Sequence, residues 1–194
     1  MINKKDYINN LLKFIFVKNW IELPVYYNNP NKVLRFDFES KPETDCINMI
    51  KKVFDDLFYL SSEMIVVFYG SKHINWKSGK KYFKFFSLKK ITKKEYKSKD
   101  SDLDDWDKPY IVICKTSRKE MKLETYLRDY INDFQSCQMV LINYKKGVAL
   151  HMYDRRGLDL LSVDEQLLVR IYQKYYEFIC ESNRDEIERF LYKS

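Results

Sequence analysis

The sequence predicts a single α+β domain spanning residues 1–194, and three observations lead to this class. The length of 194 residues suits one domain, for which the usual range is about 100–200 residues. Hydrophobic residues make up 45% of the chain and aromatic residues 16%, which is enough to build a core. The predicted elements follow the order αβαβ(β)βαβββαα, without the strict alternation of a doubly wound sheet. We therefore expect a mixed or antiparallel sheet with a C-terminal β-meander, packed by several helices.

The first half of the chain alternates between helical and strand-like patterns. Apolar residues at helical spacing predict an N-terminal helix within residues 1–20. Residues 33–39 alternate between apolar and charged side chains, a pattern typical of a half-buried strand. Lys41-Pro42 opens a second predicted helix, because proline and acidic residues favour a helix start. The continuous apolar run at 64–69 predicts a strand buried on both faces.

The second half of the chain predicts a helix between strands and then a meander. Lys145-Lys146-Gly147 separates two strand-like runs, and the glycine supplies the positive φ that such a hairpin turn needs. The predicted strands are 110–116, 138–144, 147–153 and 158–161, and the predicted helix is 122–134.

A capping pattern begins the C-terminal helical part. Ser162-Val163-Asp164-Glu165 matches a capping box, in which the serine side chain caps the helix and the glutamate reaches back. The apolar stripe that follows predicts one helix running to about Glu181. Asn183 and Glu186 repeat the capping spacing and predict a short terminal helix.

One polar turn is the most motif-like stretch of the sequence. Its candidate site residues are Tyr153, Asp154, Arg155, Arg156, Gly157 and Asp159. As a functional site, the two acids and two arginines would form a polar pocket for an anion or for a partner's side chain. We favour a structural interpretation, in which Asp154 bonds its own turn backbone, Gly157 supplies a positive φ and Arg156 pairs with a nearby acid.

A basic and aromatic region gives a second candidate site. The chain has a net charge of +7, and residues 71–99 contain eleven lysines and one glutamate, whereas residues 100–107 contain five aspartates. We interpret 71–108 as an insertion or loop region that includes a weakly patterned strand at 80–88. The candidate binding face consists of Lys72, Trp76, Lys80, Lys81, Tyr82, Lys84, Lys89, Lys90, Lys93 and Lys94. Lysines interleaved with aromatic rings are typical of single-stranded nucleic-acid sites, although a solvated basic face is the commoner outcome.

Several site classes find no support in the pattern of residues. His73 and His151 lie far apart, the four cysteines form no C-x-x-C pair, and no phosphate-binding glycine loop occurs, so we expect no metal and no cofactor. His151 lies in mid-strand, where a structural histidine is the usual outcome. No signal peptide and no run of about 18 apolar residues is present, which predicts a cytoplasmic protein without a membrane partner.

From Val33 onward the chain resembles an uncharacterised bacterial family, the domain of unknown function 3885. The motifs that carry the resemblance are Leu34-Arg35-Phe36-Asp37, Ile65-Val66-Val67, Asn132-Asp133-Phe134, Leu150 to Asp159, Asp164 and Tyr172 to Tyr175. The family's turn is similar to Y-D-D-R-G-x-D, and here Arg155 replaces its second aspartate. The resemblance implies an intracellular α+β protein of a low-GC bacterium with no known activity. The Arg155 replacement argues against a metal site built from paired acids at the turn.

The leading functional hypothesis is a non-enzymatic intracellular protein-binding module, of the kind that acts as an immunity or antitoxin partner. It rests on a compact chain without a catalytic motif and on basic and acidic blocks that select partners. The alternative is a nucleic-acid-binding protein that uses residues 72–99. A second alternative is an enzyme of unknown reaction.

Overall fold

The computed structural model describes residues 32–58, 63–71, 89–95, 109–132, 138–143 and 145–192. The strands are β1 (Val33–Asp37), β2 (Met64–Ser71), β3 (Lys89–Glu95), β4 (Pro109–Thr116), β5 (Gln138–Asn143), β6 (Val148–Asp154) and β7 (Gly157–Ser162). The α-helices are α1 (Glu43–Phe58), α2 (Leu123–Asn132), α3 (Glu165–Lys174) and α4 (Arg184–Leu191). Three short 3-10 turns lie at Arg118–Glu120, Tyr176–Phe178 and Glu181–Asn183.

The seven described strands form one sheet in the order β1-β7-β6-β5-β2-β4-β3. Every pair of neighbouring strands is antiparallel. Strands β5, β6 and β7 are consecutive both in sequence and in the sheet, so the predicted C-terminal meander is confirmed. The described helices pack together on one face of this antiparallel sheet, and the α+β class is therefore confirmed as well.

One face of the sheet carries the helices and the main core. A single row of paired residues crosses the sheet under them, consisting of Leu34, Leu160, Leu150, Leu141, Val66 and Cys114. Helix α1 contributes Ile50, Val53 and Phe54 to this core, and α2 contributes Tyr126 and Tyr130. Each helix contributes the apolar stripe along one side, and each strand contributes every second residue. These side chains pack together as one core layer.

The opposite face of the sheet is buried too. Its buried residues are Val33, Ile65, Val67, Ile113, Val140, Ile142, Ala149, His151, Asp159 and Leu161. A strand buried on both faces has no solvent-facing positions, and its sequence therefore reads as a continuous apolar run rather than an alternation. This accounts for the unbroken apolar run at the start of β2, as the sequence predicts.

The turn between β5 and β6 has the predicted backbone conformation, whereas the N-cap of α3 differs from the predicted one. Gly147 has φ 63°, so the predicted positive φ between β5 and β6 is confirmed. The N-cap of α3 is Asp164, whose side chain accepts a hydrogen bond from the Leu167 amide at 3.1 Å. The prediction that Ser162 caps this helix is wrong. Ser162 instead accepts a hydrogen bond from the Asp164 amide at 3.0 Å and sets the turn before the helix.

The C-terminal helical part is more broken than the sequence predicts. Helix α3 ends at Lys174, and the chain continues through two 3-10 turns rather than as one helix to about Glu181. The segment between these turns lies along the outer edge of β1. Ile179 pairs with Phe36, and the Cys180 amide donates to the Arg35 carbonyl at 2.9 Å. The terminal helix α4 is confirmed, although Asn183 makes no side-chain capping hydrogen bond.

Two sequence predictions fall on parts of the chain that lie outside the described residues. These are the N-terminal helix within 1–20 and the strand at 80–88. Within the 71–108 region, residues 89–95 form β3, which pairs with β4 at the end of the described sheet. None of the described helices has the length and apolar character needed to cross a membrane.

Candidate functional site

The polar turn between β6 and β7 is bound to β1 through a buried ion pair. Asp159 lies opposite Arg35 in the register of β7 and β1. The guanidinium of Arg35 donates from two nitrogens to the two carboxylate oxygens of Asp159, at 3.0 and 3.3 Å. The Asp159 side chain is 0% exposed and that of Arg35 is 12% exposed. This geometry is the planar, two-bond arrangement that gives arginine–carboxylate pairs their strength and directionality.

Two further side chains surround the ion pair. The guanidinium of Arg35 lies 5.3 Å from the ring centre of Tyr153, and the Tyr153 ring lies 5.5 Å from that of His151. His151 pairs with Asp159 in the register of β6 and β7. Burial, followed by the nearby Arg35 charge, lowers the pKa of His151 to about 3. His151 is therefore neutral at physiological pH and acts as a buried structural side chain.

Glycine is needed at position 157 because a side chain would not fit there, and not because of the backbone conformation. Its φ is not positive, so the prediction that it supplies a positive φ is wrong. A Cβ at this position would collide with the carbonyl oxygen of Phe36 and would lie 2.8 Å from the Tyr153 hydroxyl. The hydroxyl of Tyr130 also donates to the Gly157 carbonyl at 3.3 Å. The turn is thereby fixed against both β1 and α2.

The remaining residues of the turn lie at its tip. Arg155 and Arg156 are exposed, and the Arg156 carbonyl accepts a hydrogen bond from the Phe38 amide at 2.7 Å. The backbone of Asp154 pairs with Gly157 at the closing end of the hairpin. The structure thus brings Tyr153, Gly157 and Asp159 together against β1 and leaves the two arginines of the turn outside that cluster.

The candidate basic face is described only in part. Lys89, Lys90, Lys93 and Lys94 lie on β3, at one end of the sheet. Lys89 is opposite Lys115 of β4, and an irregularity in the pairing separates Lys90 from Thr92. The other six candidate residues, Lys72, Trp76, Lys80, Lys81, Tyr82 and Lys84, lie outside the described residues.

A groove that the sequence did not predict lies between α1 and the chain that follows α3. Its volume is about 620 Å³, within the range of about 300–1,000 Å³ that small ligand sites occupy. Apolar parts of Met49, Tyr175 and Phe178 contribute to its lining, together with polar residues on both sides. The polar lining residues are Asp45, Asn48, Lys52, Gln173, Lys174, Tyr176 and Glu177. We call this site the α1 groove.

Hydrogen bonds to Asp56 of α1 hold one end of the α1 groove. The Lys174 ammonium donates to both oxygens of this carboxylate at 2.7 and 3.0 Å, and the Tyr175 hydroxyl donates at 2.8 Å. The hydrogen bond to Asp56 raises the pKa of Lys174. Burial, and then the bond to Asp56, raises the pKa of Tyr175 to about 12. Both groups therefore keep their protons, and this end of the groove has a fixed shape.

The other end of the α1 groove is held by a cation–π contact. The Lys41 ammonium lies 5.6 Å from the ring centre of Phe178. Because residue 174 contacts residue 56 and residue 178 contacts residue 41, the chain after α3 runs antiparallel to α1. The groove is thus bounded by two aligned segments of backbone.

Exposed tyrosines lie beside the α1 groove. Tyr176 is 42% exposed, and the Arg184 guanidinium is stacked 4.3 Å from its ring centre. Tyr192, which does not line the groove, is 49% exposed. Both rings make edge contacts with Tyr172, at centroid distances of 5.4 and 6.4 Å. Tyrosine and arginine held in fixed orientations are characteristic of the energetically important centres of protein interfaces.

The sequence held a signal for this groove, but it was ambiguous. Tyr172, Tyr175 and Phe178 of this aromatic-rich stretch belong to the apolar stripe of the longer predicted helix. Because α3 ends at Lys174, Tyr175 and Phe178 instead lie beyond the helix, on either side of the exposed Tyr176. A helix end set by long-range contacts to α1 and β1 has no local signature in this stretch.

Metal and nucleophile chemistry gain no support within the described ranges. No group of three or more His, Cys, Asp or Glu side chains that could hold a metal ion occurs among these residues. Cys114 lies in the core under the helices, whereas His151 lies on the opposite face of the sheet. The sheet itself therefore separates this cysteine from this histidine.

Comparison with known protein families gives a match over most of the chain. A family model described as a domain of unknown function (DUF3885) matches residues 8–183. Neither the functionally curated proteins nor the solved structures include a significant match to the chain. Two of the motifs that carry the resemblance, around Arg35 and around Asp159, meet as paired positions of β1 and β7.

Proposed function

The chain belongs to the family of the domain of unknown function 3885, and we propose that it is an intracellular, non-enzymatic protein-binding module. In this proposal a segment of a partner protein occupies the α1 groove. The immunity or antitoxin type of partner is the finer form of the same hypothesis.

The observation that carries the proposal is the composition of the α1 groove. Interface centres are enriched in tyrosine, phenylalanine, methionine and arginine, and these residues supply contact area at a small entropic cost. The α1 groove combines Met49, Tyr175 and Phe178 with an exposed Tyr176 that Arg184 holds in place. A partner would bury the accessible parts of Tyr176 and Phe178, since Met49 and Tyr175 are already buried, and would leave the groove's own hydrogen bonds intact.

Site-specific photo-cross-linking tests the proposal. A photoreactive phenylalanine analogue at position 176 is expected to capture one partner in bacterial cells that express the chain, and the same analogue at Lys119 serves as the control. The purified partner is then titrated calorimetrically. Tyr176→Ala is expected to weaken binding at least tenfold, because a tyrosine at the centre of an interface contributes roughly 2 kcal/mol or more.

Tyr192→Ala is the matched control for that titration. It removes another exposed tyrosine that contacts Tyr172, but one that does not line the groove. Equal capture at positions 176 and 119, or equal losses of affinity for the two alanine variants, would contradict a role for the α1 groove.

Nucleic-acid binding is the second candidate, and the position of β3 favours it. Four lysines occur within the seven residues of β3, at one end of the described sheet, and clustered lysines neutralise a phosphate backbone. Lys93→Glu with Lys94→Glu should weaken binding of single-stranded DNA at low salt, whereas Lys119→Glu with Lys122→Glu makes the same charge change elsewhere. Equal effects of the two double variants in a fluorescence anisotropy titration would reject the β3 site.

A further inference from the structure

The α1 groove carries opposite charges at its two ends. The end near the start of α1 has the carboxylates of Asp45 and Glu177 and the ammonium of Lys41, and these three charges sum to one negative charge. The other end has the ammonium groups of Lys52 and Lys174 and the carboxylate of Asp56, and these three charges sum to one positive charge. Met49 and Tyr176 lie between these ends, and of these two side chains Tyr176 is the exposed one, at 42%.

Three of these charges have no ion-pair partner among the described residues. Asp45, Lys52 and Glu177 are exposed and form no salt bridge within that part of the chain, whereas Lys174 is already paired with Asp56. Unpaired charges on the rim of a groove select partners by complementarity at a small desolvation cost. Asp45 and Lys52 are seven residues apart on one helix, which corresponds to a separation of about 10 Å at 1.5 Å per residue.

We infer that the α1 groove takes a short extended segment of a partner protein, with an apolar residue flanked by one basic and one acidic residue. The basic residue lies against Asp45 and Glu177, and the acidic residue lies against Lys52. An extended chain advances about 3.3 Å per residue, so its two charged residues are about three positions apart. This inference rests on the proposed function and names the kind of segment that the groove binds.

A random twelve-residue peptide library displayed on phage tests the inference. Selection against the wild-type chain is expected to enrich peptides with one basic and one acidic residue around an apolar residue. Their synthetic forms should bind Tyr176→Ala at least tenfold more weakly than the wild type, and should bind Tyr192→Ala with unchanged affinity.

Two charge variants give the decisive comparison. Lys52→Glu makes both ends of the groove negative, and its selected peptides should carry two basic residues. Glu177→Lys makes both ends positive, and its selected peptides should carry two acidic residues. The double variant again has opposite charges at the two ends of the groove, and its selected peptides should again carry one basic and one acidic residue. This comparison does not depend on the direction in which a peptide lies.

Two negative results are distinguishable. Flanking charges that are the same in all four selections would overturn the inferred segment but leave groove-dependent binding, and with it the proposed function, intact. Peptides whose affinity is insensitive to Tyr176→Ala would overturn both. Circular dichroism of each variant establishes that a lost interaction reflects the groove and not the fold.

Discussion

Replacing Asp159 with asparagine tests whether the buried ion pair holds β1 against the meander. Asparagine keeps the shape of the side chain and one oxygen for Arg35 but removes the negative charge. The guanidinium then loses the charge of Asp159 at a site where the arginine side chain is only 12% exposed. Removing one partner of a buried pair costs about 3–5 kcal/mol. Because one hydrogen bond remains, we expect the lower value, a loss of about 3 kcal/mol in the free energy of unfolding.

Urea unfolding followed by far-ultraviolet circular dichroism measures this loss. Asp55→Asn is the matched control. Asp55 pairs with Arg118 near the surface, where the Asp55 side chain is 44% exposed and the Arg118 side chain is 30% exposed. This substitution should lower the free energy of unfolding by less than about 1 kcal/mol. Arg35→Met completes a double-mutant cycle with Asp159→Asn. The double variant should be more stable than additivity predicts, by about 2 kcal/mol, because it leaves no uncompensated buried charge.

Two outcomes would refute this reasoning. One is a loss for Asp159→Asn no larger than that for Asp55→Asn. The other is strict additivity in the cycle, which would mean that Arg35 and Asp159 stabilise the fold independently. Either result would remove the ion pair from the interactions that fix the position of β1.

Three further predictions concern single positions. Gly157→Ala should lower the free energy of unfolding by about 2 kcal/mol, measured by urea denaturation, because the new methyl group collides with the Phe36 carbonyl. Asp164→Ala should cost about 1 kcal/mol through loss of the α3 N-cap, and Ser162→Ala should cost less; equal losses in thermal denaturation would contradict the assignment of the cap. The pKa of His151 falls from 6.5 unfolded to about 3 folded, so the unfolded chain binds the extra proton and acid destabilises the fold. When the pH is lowered from 6.5 to 4.5, the free energy of unfolding of the wild type should fall by roughly 2 kcal/mol more than that of His151→Gln. Equal falls would show that the pKa of His151 is not lowered by folding.

Several features of the fold follow from local sequence alone. The alternation in β1, the apolar run of β2 and the glycine at position 147 each predict a local structure that the molecule adopts. These predictions hold because strand periodicity and the conformational freedom of glycine act between residues close in the chain. The lack of strict helix–strand alternation along the sequence was likewise enough to predict the α+β class.

The candidate sites depended on contacts that no local pattern contains. The partner of Asp159 is Arg35, 124 positions away, and it is selected by the pairing of β1 with β7. Gly157 looked like a residue of positive φ, but the close approach of Phe36 is what excludes a side chain there. The Ser162 pattern placed the helix start only two residues early, since serine and aspartate compete for similar roles before a helix.

The sequence by itself determined the elements of this protein, their order and the chemistry available in them. The tertiary structure alone decided where α3 ends, because contacts from the following chain to Asp56 and to the edge of β1 compete with continuation of the helix. The residues that follow this break, Tyr175 to Phe178, line the α1 groove, and Tyr176 among them is exposed. Local propensity is set by neighbours in the chain, whereas a groove is set by segments that are distant in the chain and brought together only by folding.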